Sequence, residues 1–361
     1  MYNKIHYNIL RKGNEKSLKD VKMQCKRINV LLGKPNVGKS NILEALSLYV
    51  APYCSAAKLL LKDYIRYEKL SNLFYDQDRK NQIIVSSNLG FASVRYGISG
   101  NNSYDIVIGP DTEALKNLND FVSTFLNKTY DYDHLSEDNN KPIKKYYSLI
   151  SENQNTSSFY LYECPIKKYN FESLTKHTNH FSGFLIPPDG NNLYAILESN
   201  PTLYDECAQF FTEYRLDLLI DTISEKIEVQ KKVGNRVYKI PYSLAADTLQ
   251  RIIFHIAAID TNVGSVLLFE EPENHSYPPY ISLLGDKIIE SKENQFFITT
   301  HSPYLLTPFI EQCSQEDIAI FIADYENYET KVRALTEREI ENIIEEKIDF
   351  FFNTSAFTKH D

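Results

Sequence analysis

The sequence predicts an α/β protein: a largely parallel sheet flanked by helices, with an inserted mixed α/β lobe. Three observations predict it. First, Ile28-Asn29-Val30-Leu31-Leu32, Ser265-Val266-Leu267-Leu268-Phe269 and Gln295-Phe296-Phe297-Ile298-Thr299 are near-continuous apolar runs of strand length, as strands buried on both faces require. Second, each run stops abruptly at glycine or polar residues. Third, segments with apolar residues at helical spacing follow, Asn41 to Leu48 and Tyr280 to Ser291 among them.

The first run ends in Gly33-Lys34-Pro35-Asn36-Val37-Gly38-Lys39-Ser40, which matches the G-x-x-x-x-G-K-[ST] phosphate loop between a strand and a helix. The chemistry needs these residue types. Gly33 and Gly38 allow the tight turn that aims backbone N–H groups at phosphate oxygens, in line with the helix dipole. Lys39 sets a cation between the β- and γ-phosphates, and the Ser40 hydroxyl can ligate Mg2+. The expected cofactors are therefore ATP and Mg2+.

The stretch that follows has a different character. Residues 82 to 108 alternate like strands with Asn- and Gly-rich turns. Residues 131 to 158, rich in Asp, Asn, Lys and Ser, read as a loop. Residues 203 to 232 read as one long helix with Phe210, Phe211, Tyr214, Leu218 and Ile223 on one face. Ile318 to Ala323 reads as a further strand and Glu337 to Glu346 as a charged surface helix. The expected division is an ATPase core split in sequence (1–50 and 236–325), an inserted lobe (51–235) and a C-terminal tail or helix (326–361).

At the second apolar run, Glu270 and Glu271 offer two carboxylates where a phosphate-loop ATPase needs them. The first would hold Mg2+ through water and the second would polarise the attacking water. Glu270 stands where Asp is usual, so its extra methylene must be accommodated. Alone, the pair reads equally well as a solvated turn. The third run leads into Thr299-Thr300-His301-Ser302-Pro303. A histidine at the carboxyl edge of a parallel strand is placed to sense a γ-phosphate, though a lone histidine is more often structural. His177-Thr178-Asn179-His180 has metal-like spacing but lacks a nearby Cys or Glu, which favours a surface reading.

Composition narrows the class. The net charge of −9 argues against a chain coated in phosphate-neutralising charge. Locally, Lys4, Arg11, Lys12, Lys16, Lys19, Lys22, Lys26 and Arg27 face only Glu15 and Asp20; this is a solvated sheet edge or a nucleic-acid contact. Cys25, Cys54, Cys164, Cys207 and Cys313 are scattered and form no Cys-x-x-Cys pair, which fits a reducing compartment. No apolar run approaches the roughly 18 residues that cross a membrane, and the first residues lack signal-peptide order. A cytoplasmic chain without a membrane partner is expected.

Together the three motifs resemble the ABC-type P-loop ATPases of the SMC, RecF and OLD group, which includes small AAA proteins of bacterial anti-phage operons. The resemblance rests on Gly33 to Asn41, on Glu271-Pro272-Glu273 and on Thr300 to Pro303. It covers the first 50 residues and roughly residues 236 to 325. It implies that Gly33, Asn36, Val37, Gly38, Lys39, Ser40 and Asn41 bind the nucleotide, that Glu271 and His301 are catalytic, and that Ser40 and Glu270 hold the metal. Gln77 is the candidate for the loop glutamine that watches the metal; a surface glutamine is the alternative. A signature motif should precede the second run, and Tyr242 to Arg251 is its place. Ser243 is kept there, but Ala245 and Ala246 replace the expected glycines. Ser243 would meet the γ-phosphate of a second subunit, or would simply cap a core helix.

The implied function is an ATP-driven switch with slow or partner-regulated hydrolysis. It would form a homo-oligomer and control an effector encoded nearby, such as a nuclease or toxin, or act on nucleic acid in antiviral defence. The chain ends too soon after His301 to hold the nuclease domain of some OLD relatives, so any cutting is expected of a separate protein. The other readings are a cytosolic ATPase subunit of a transporter and a non-hydrolysing nucleotide-dependent scaffold.

Overall fold

The computed structural model describes residues 8–10, 17–51, 61–80, 82–87, 90–96, 104–109, 148–151, 156–157 and 165–345. In chain order the elements are β1 (Asn8–Leu10), β2 (Lys22–Gln24), β3 (Ile28–Leu32), α1 (Lys39–Ser47), β4 (Ile83–Ser87), β5 (Gly90–Tyr96), β6 (Tyr104–Gly109), β7 (Ser148–Ser151), β8 (Thr156–Ser157) and β9 (Ile166–Tyr169). They continue as α2 (Leu193–Ser199), α3 (Pro201–Thr212), β10 (Asp217–Asp221), β11 (Lys226–Val233), β12 (Arg236–Pro241), α4 (Asp247–Asp260), β13 (Val266–Glu270), α5 (Pro278–Glu290), β14 (Gln295–Thr299), α6 (Pro303–Gln312), β15 (Ile318–Glu326), β16 (Glu329–Ala334) and α7 (Glu337–Glu345). Two compact units result: Met1–Cys25 with Asn36–Cys164 and Ala323–Arg333, and Lys26–Pro35 with Pro165–Ile322 and Ala334–Asp361.

The second unit holds parallel strands in the order β15-β3-β14-β13-β9. The registers Phe296↔Ile28, Val266↔Gln295 and Val266↔Ile166 align their starts. Every residue of β3 and β14 is buried, which explains their unbroken apolar composition. The buried Asn29 is satisfied within the sheet: its amide donates to the carbonyls of Lys26 (2.7 Å) and Phe296 (3.0 Å). α4 is nearly all buried, with Ile253, Ile256, Ala257 and Ala258 fully enclosed. A three-stranded antiparallel sheet, β10-β11-β12, belongs to the same unit.

Two expectations change here. The helix expected over 203–232 ends at Thr212, and the rest forms β10 and most of β11. Arg215 and Glu225 take left-handed backbone (φ 56° and 52°) and turn the chain where no glycine signals it. The compact units also divide the chain differently from the expected lobe boundary at 235. The cut falls at Cys164–Pro165, because β9 hydrogen-bonds to β13 as a parallel neighbour.

The first unit contains an antiparallel sheet in the order β2-β1-β4-β5-β6-β7-β8. α1 runs into a 3-10 turn, Leu48–Val50, whose Tyr49 hydroxyl donates to the Gly90 carbonyl at 2.9 Å. Of the loop expected over 131–158, only β7 and β8 are described; the remainder lies outside the described residues. Among the described residues no helix is long and apolar enough to cross a membrane.

Candidate functional site

Parallel pairing delivers β3, β14 and β13 to one edge of the second unit. Leu31 faces Thr299 and Glu270 faces Thr299 across the ladder, so three loops leave together: one opening at Gly33, one at Glu271 and one at Thr300. This carboxyl edge is where open α/β sheets bind ligands. Glu271 adopts φ 45°, an uncommon conformation for a residue with a side chain. Its N–H donates to the Thr299 carbonyl (3.0 Å) and lies 3.1 Å from the Thr299 hydroxyl.

The turn aims the Glu271 side chain outward. Its Oε1 lies 3.4 Å from His301 Nε2, and its Oε2 accepts from the Asn274 amide at 2.9 Å. The two side chains are 34% and 36% exposed, so water reaches both. Beneath them sits Glu273, which is buried. Its Oε1 accepts from the Thr300 hydroxyl (2.6 Å) and the His301 N–H (2.7 Å). Glu273 Oε2 has no hydrogen-bond partner among the described residues. Burial pushes this carboxyl above its ordinary pKa, against those hydrogen bonds, and the Glu271 charge pushes the same way.

Sequence reasoning missed Lys168. This lysine on β9 is buried (side chain 3% exposed) and places Nζ 3.2 Å from Glu270 Oε2. A buried ammonium requires a partner, and the neighbouring strand supplies one. The longer Glu at this position is thus held by a cation from β9. Nothing in Lys167-Lys168 distinguishes a buried lysine from a surface pair; only the pairing of β9 with β13 does.

Of the phosphate loop, Gly33 (φ 145°) lies in the second unit and Asn36 onward in the first. Asn36 (φ 63°) is exposed, and Val37 is buried. Gly38 (φ 95°) is the N-cap of α1, with no side-chain cap and no acidic residue in the first turn. A Cβ on Gly38 would lie 2.1 Å from Thr330 Oγ1 and 2.7 Å from Ser17 Oγ, so only glycine fits. Those hydroxyls are 2.5 Å apart, and the Asn41 amide donates to Ser17 Oγ at 2.9 Å. Asn41 thereby braces the loop from its own unit. Lys39 is buried and Ser40 half-buried. Gln77 ends an exposed 3-10 turn, Tyr75–Gln77, with φ 56°.

Ser243 corrects an expectation. It sits in the 3-10 turn Tyr242–Leu244, while α4 starts at Asp247 with Ala246 as N-cap. Ser243 therefore does not cap the core helix. The turn is held from below by the buried Gln250, whose amide donates to the Ala245 carbonyl at 2.9 Å and whose Oε1 accepts from Ser173 at 2.8 Å. Leu244 above it is 73% exposed. The Tyr277 N–H donates to Thr248 Oγ1 at 3.0 Å, which ties the segment after Glu273 to the first turn of α4. His177 packs against the Tyr242 ring at 6.3 Å and burial lowers its pKa to about 4. Among the described residues no group of three or more His, Cys, Asp or Glu could hold a metal ion.

A family model described as "AAA domain, putative AbiEii toxin, Type IV TA system" matches residues 28–307. The chain is similar to a protein named "ATP/GTP phosphatase" from Helicobacter pylori (strain ATCC 700392 / 26695). The two are 23% identical over 336 residues, covering 85% of this chain and 88% of that protein. Similar solved structures include an SmcHead bound to the C-winged helix domain of ScpA, at 15% identity and TM-score 0.49, covering 93% of this chain and 99% of the other. Another is the Smc head domain with an extended coiled coil bound to the C-terminal domain of ScpA, derived from Pyrococcus furiosus. It matches at 13% identity and TM-score 0.48, covering 95% of this chain and 99% of the other.

Proposed function

Because the chain belongs to this AAA-domain family, we propose that this P-loop ATPase of the AAA type is a Mg2+-dependent switch, set by ATP binding and reset by hydrolysis. The observation that carries the reading is the Glu271–His301 pair, 3.4 Å apart at the sheet edge where the Gly33 loop begins.

The start of α1 fits the phosphates of a nucleotide. The N-terminus of α1 has neither a side-chain cap nor an acidic residue in its first turn, so phosphate oxygens meet N–H groups and a favourable dipole there. Lys39 would neutralise the β- and γ-phosphates, with Gly33, Asn36, Val37, Gly38 and Asn41 shaping the loop. Ser40 and Glu270 would hold the metal, with Gln77 as a further contact. The metal held there would supply positive charge against the negative charge that develops on the phosphate oxygens. Glu271 then orients and polarises the attacking water, with its Oε2 fixed by Asn274 and its Oε1 facing His301. His301 follows the γ-phosphate and passes its presence to the loop anchored by Glu273.

In this reading Ser243, Asn274, His275 and Ser276 face a second copy of the chain, which makes the working form a homo-oligomer. Their lying in one unit, with Asn274 and His275 exposed, supports it. The family's description, which names a toxin of a type IV toxin–antitoxin system, supports a role in bacterial antiviral defence. There the switch would restrain or release an effector encoded nearby, such as a nuclease or toxin, in the cytoplasm. Replacing Lys39 by Ala tests the first step. Fluorescent-ATP titration should show affinity reduced at least about tenfold, the loss of one charged phosphate contact, and turnover should fall with it. Parent-level binding by Lys39→Ala would remove the phosphate loop from the account.

A further inference from the structure

The basic run at the start of the sequence is partly committed to internal partners. Lys19 pairs with Glu329 at 2.8 Å, and Lys26 Nζ donates to the Gln315 carbonyl. Arg27 donates to the Ser291 carbonyl at 2.9 Å and pairs with Asp317 at 3.4 Å. These cations hold the fold together. Lys4, Arg11, Lys12 and Lys16 lie outside the described residues.

The β11–β12 hairpin behaves differently. Its base is anchored: Ile227 and Val229 are buried, and Lys239 pairs with Glu228 at 2.7 Å and Asp221 at 3.4 Å. Beyond Gln230 every residue through Lys239 is exposed on both faces of the ribbon. The register Lys231↔Tyr238, Lys232↔Val237 and Val233↔Arg236 sorts the side chains. Lys231, Val233, Arg236 and Tyr238 share one face; Lys232 and Val237 share the other. Among the described residues Lys231, Lys232 and Arg236 have no carboxylate within ion-pairing distance, unlike Lys239 beneath them. Val233, Val237 and Tyr238 are each about half exposed (52%, 52% and 49%).

From this we infer that the β11–β12 hairpin is an arm that docks into the groove of double-stranded DNA. Two strands lie about 4.8 Å apart, and such a ribbon fits the major groove, about 12 Å wide, of B-form DNA. Phosphates then line both of its sides. Lys231 and Arg236 reach one wall and Lys232 the other, while Tyr238 packs along the groove. Duplex RNA, whose major groove is deep and narrow, excludes such an arm. On a chain with an overall charge of −9, this tip is a local basic patch, which is enough to hold phosphates despite the acidic total. The inference names a partner for the switch but stands on the hairpin alone, not on the hydrolysis site.

The test is fluorescence anisotropy of a labelled 30-base-pair DNA duplex with the full chain, from 50 to 200 mM salt, with and without ATP. The comparison protein carries Lys231→Glu, Lys232→Glu and Arg236→Glu. All three positions are exposed, so folding and ATP turnover should match the parent. The parent should bind duplex DNA more tightly than a single strand or duplex RNA. The variant should bind at least about tenfold more weakly, and its log–log salt slope should shrink by about 2 to 3, the release of counterions from three phosphates. Equal binding by parent and variant, absence of DNA binding by the parent, or a preference for single strands or RNA would each overturn the inference.

Discussion

The sheet edge and the signature turn are built in opposite ways. At the edge, every polar side chain that matters has a fixed partner: Glu271 with His301 and Asn274, Glu273 with Thr300 and His301, and Glu270 with Lys168. In the turn Tyr242–Leu244 only backbone carbonyls are held, by Gln250, and Leu244 points into solvent. Chemistry that the chain performs by itself requires preorganised groups, and the edge has them. Under the proposed reading, groups that would meet a second copy are left open, and the turn leaves Leu244 exposed.

Substitutions at Glu273 should break this contrast most strongly. Glu273→Ala leaves the Thr300 hydroxyl and the His301 N–H without their acceptor, at a cost of about 2–4 kcal/mol of stability for two buried donors. With the His301 loop released, turnover should fall about tenfold, a shift of its anchor by a fraction of a bond length. Glu273→Gln keeps an acceptor and should recover most of the turnover. The two variants also separate a pH effect. Because burial raises the Glu273 pKa in the folded state, its contribution is fully present below the ordinary carboxyl pKa and is lost as pH rises through the folded value. Thermal unfolding of the parent should therefore show a loss over that window that Glu273→Gln lacks. Identical pH profiles would remove the burial argument.

Lys168→Met sharpens the comparison from the metal side. Taking a cation from 3.2 Å of Glu270 should let that carboxylate attract Mg2+ more strongly. The Mg2+ concentration for half-maximal turnover should drop several-fold, on the order of 1 kcal/mol for a partly exposed pair, and the protein should lose stability. An unchanged Mg2+ titration would mean that Glu270 does not meet the metal. The smallest effect belongs to the turn. Gln250→Ala should cost about 1–2 kcal/mol and should change turnover less than threefold at high protein concentration, with a larger loss on dilution, read in a turnover-versus-concentration series.

The sequence made the edge legible because its motifs are local. Glycine spacing names the loop, and β3, β13 and β14 end where their apolar runs end. What it hid depends on pairing between distant segments. Lys168 becomes a partner of Glu270 only because β9 lies beside β13, and Gln250 supports the signature turn only through folded geometry. The stretch 203–232 misled for another reason. Phe210, Phe211, Tyr214 and Leu218 keep helical spacing straight across the turn at Arg215, whose left-handed backbone carries no glycine marker. The alternation Ile227, Val229, Lys231 and Val233 followed by Gly234-Asn235 was the hairpin signal, and the aromatic periodicity masked it.

The central claim is that Glu271 at this sheet edge activates the water that cleaves ATP. Its most direct test is Glu271→Gln, with ATP binding and steady-state turnover measured on the same preparation. The amide keeps the side chain's shape and its contact with Asn274 but cannot take a proton. Turnover should fall at least about 100-fold, the lower range for losing a general base, while ATP affinity stays within about threefold and bound ATP accumulates uncleaved. Turnover at the parent rate with intact binding would contradict the account and assign the water to another residue.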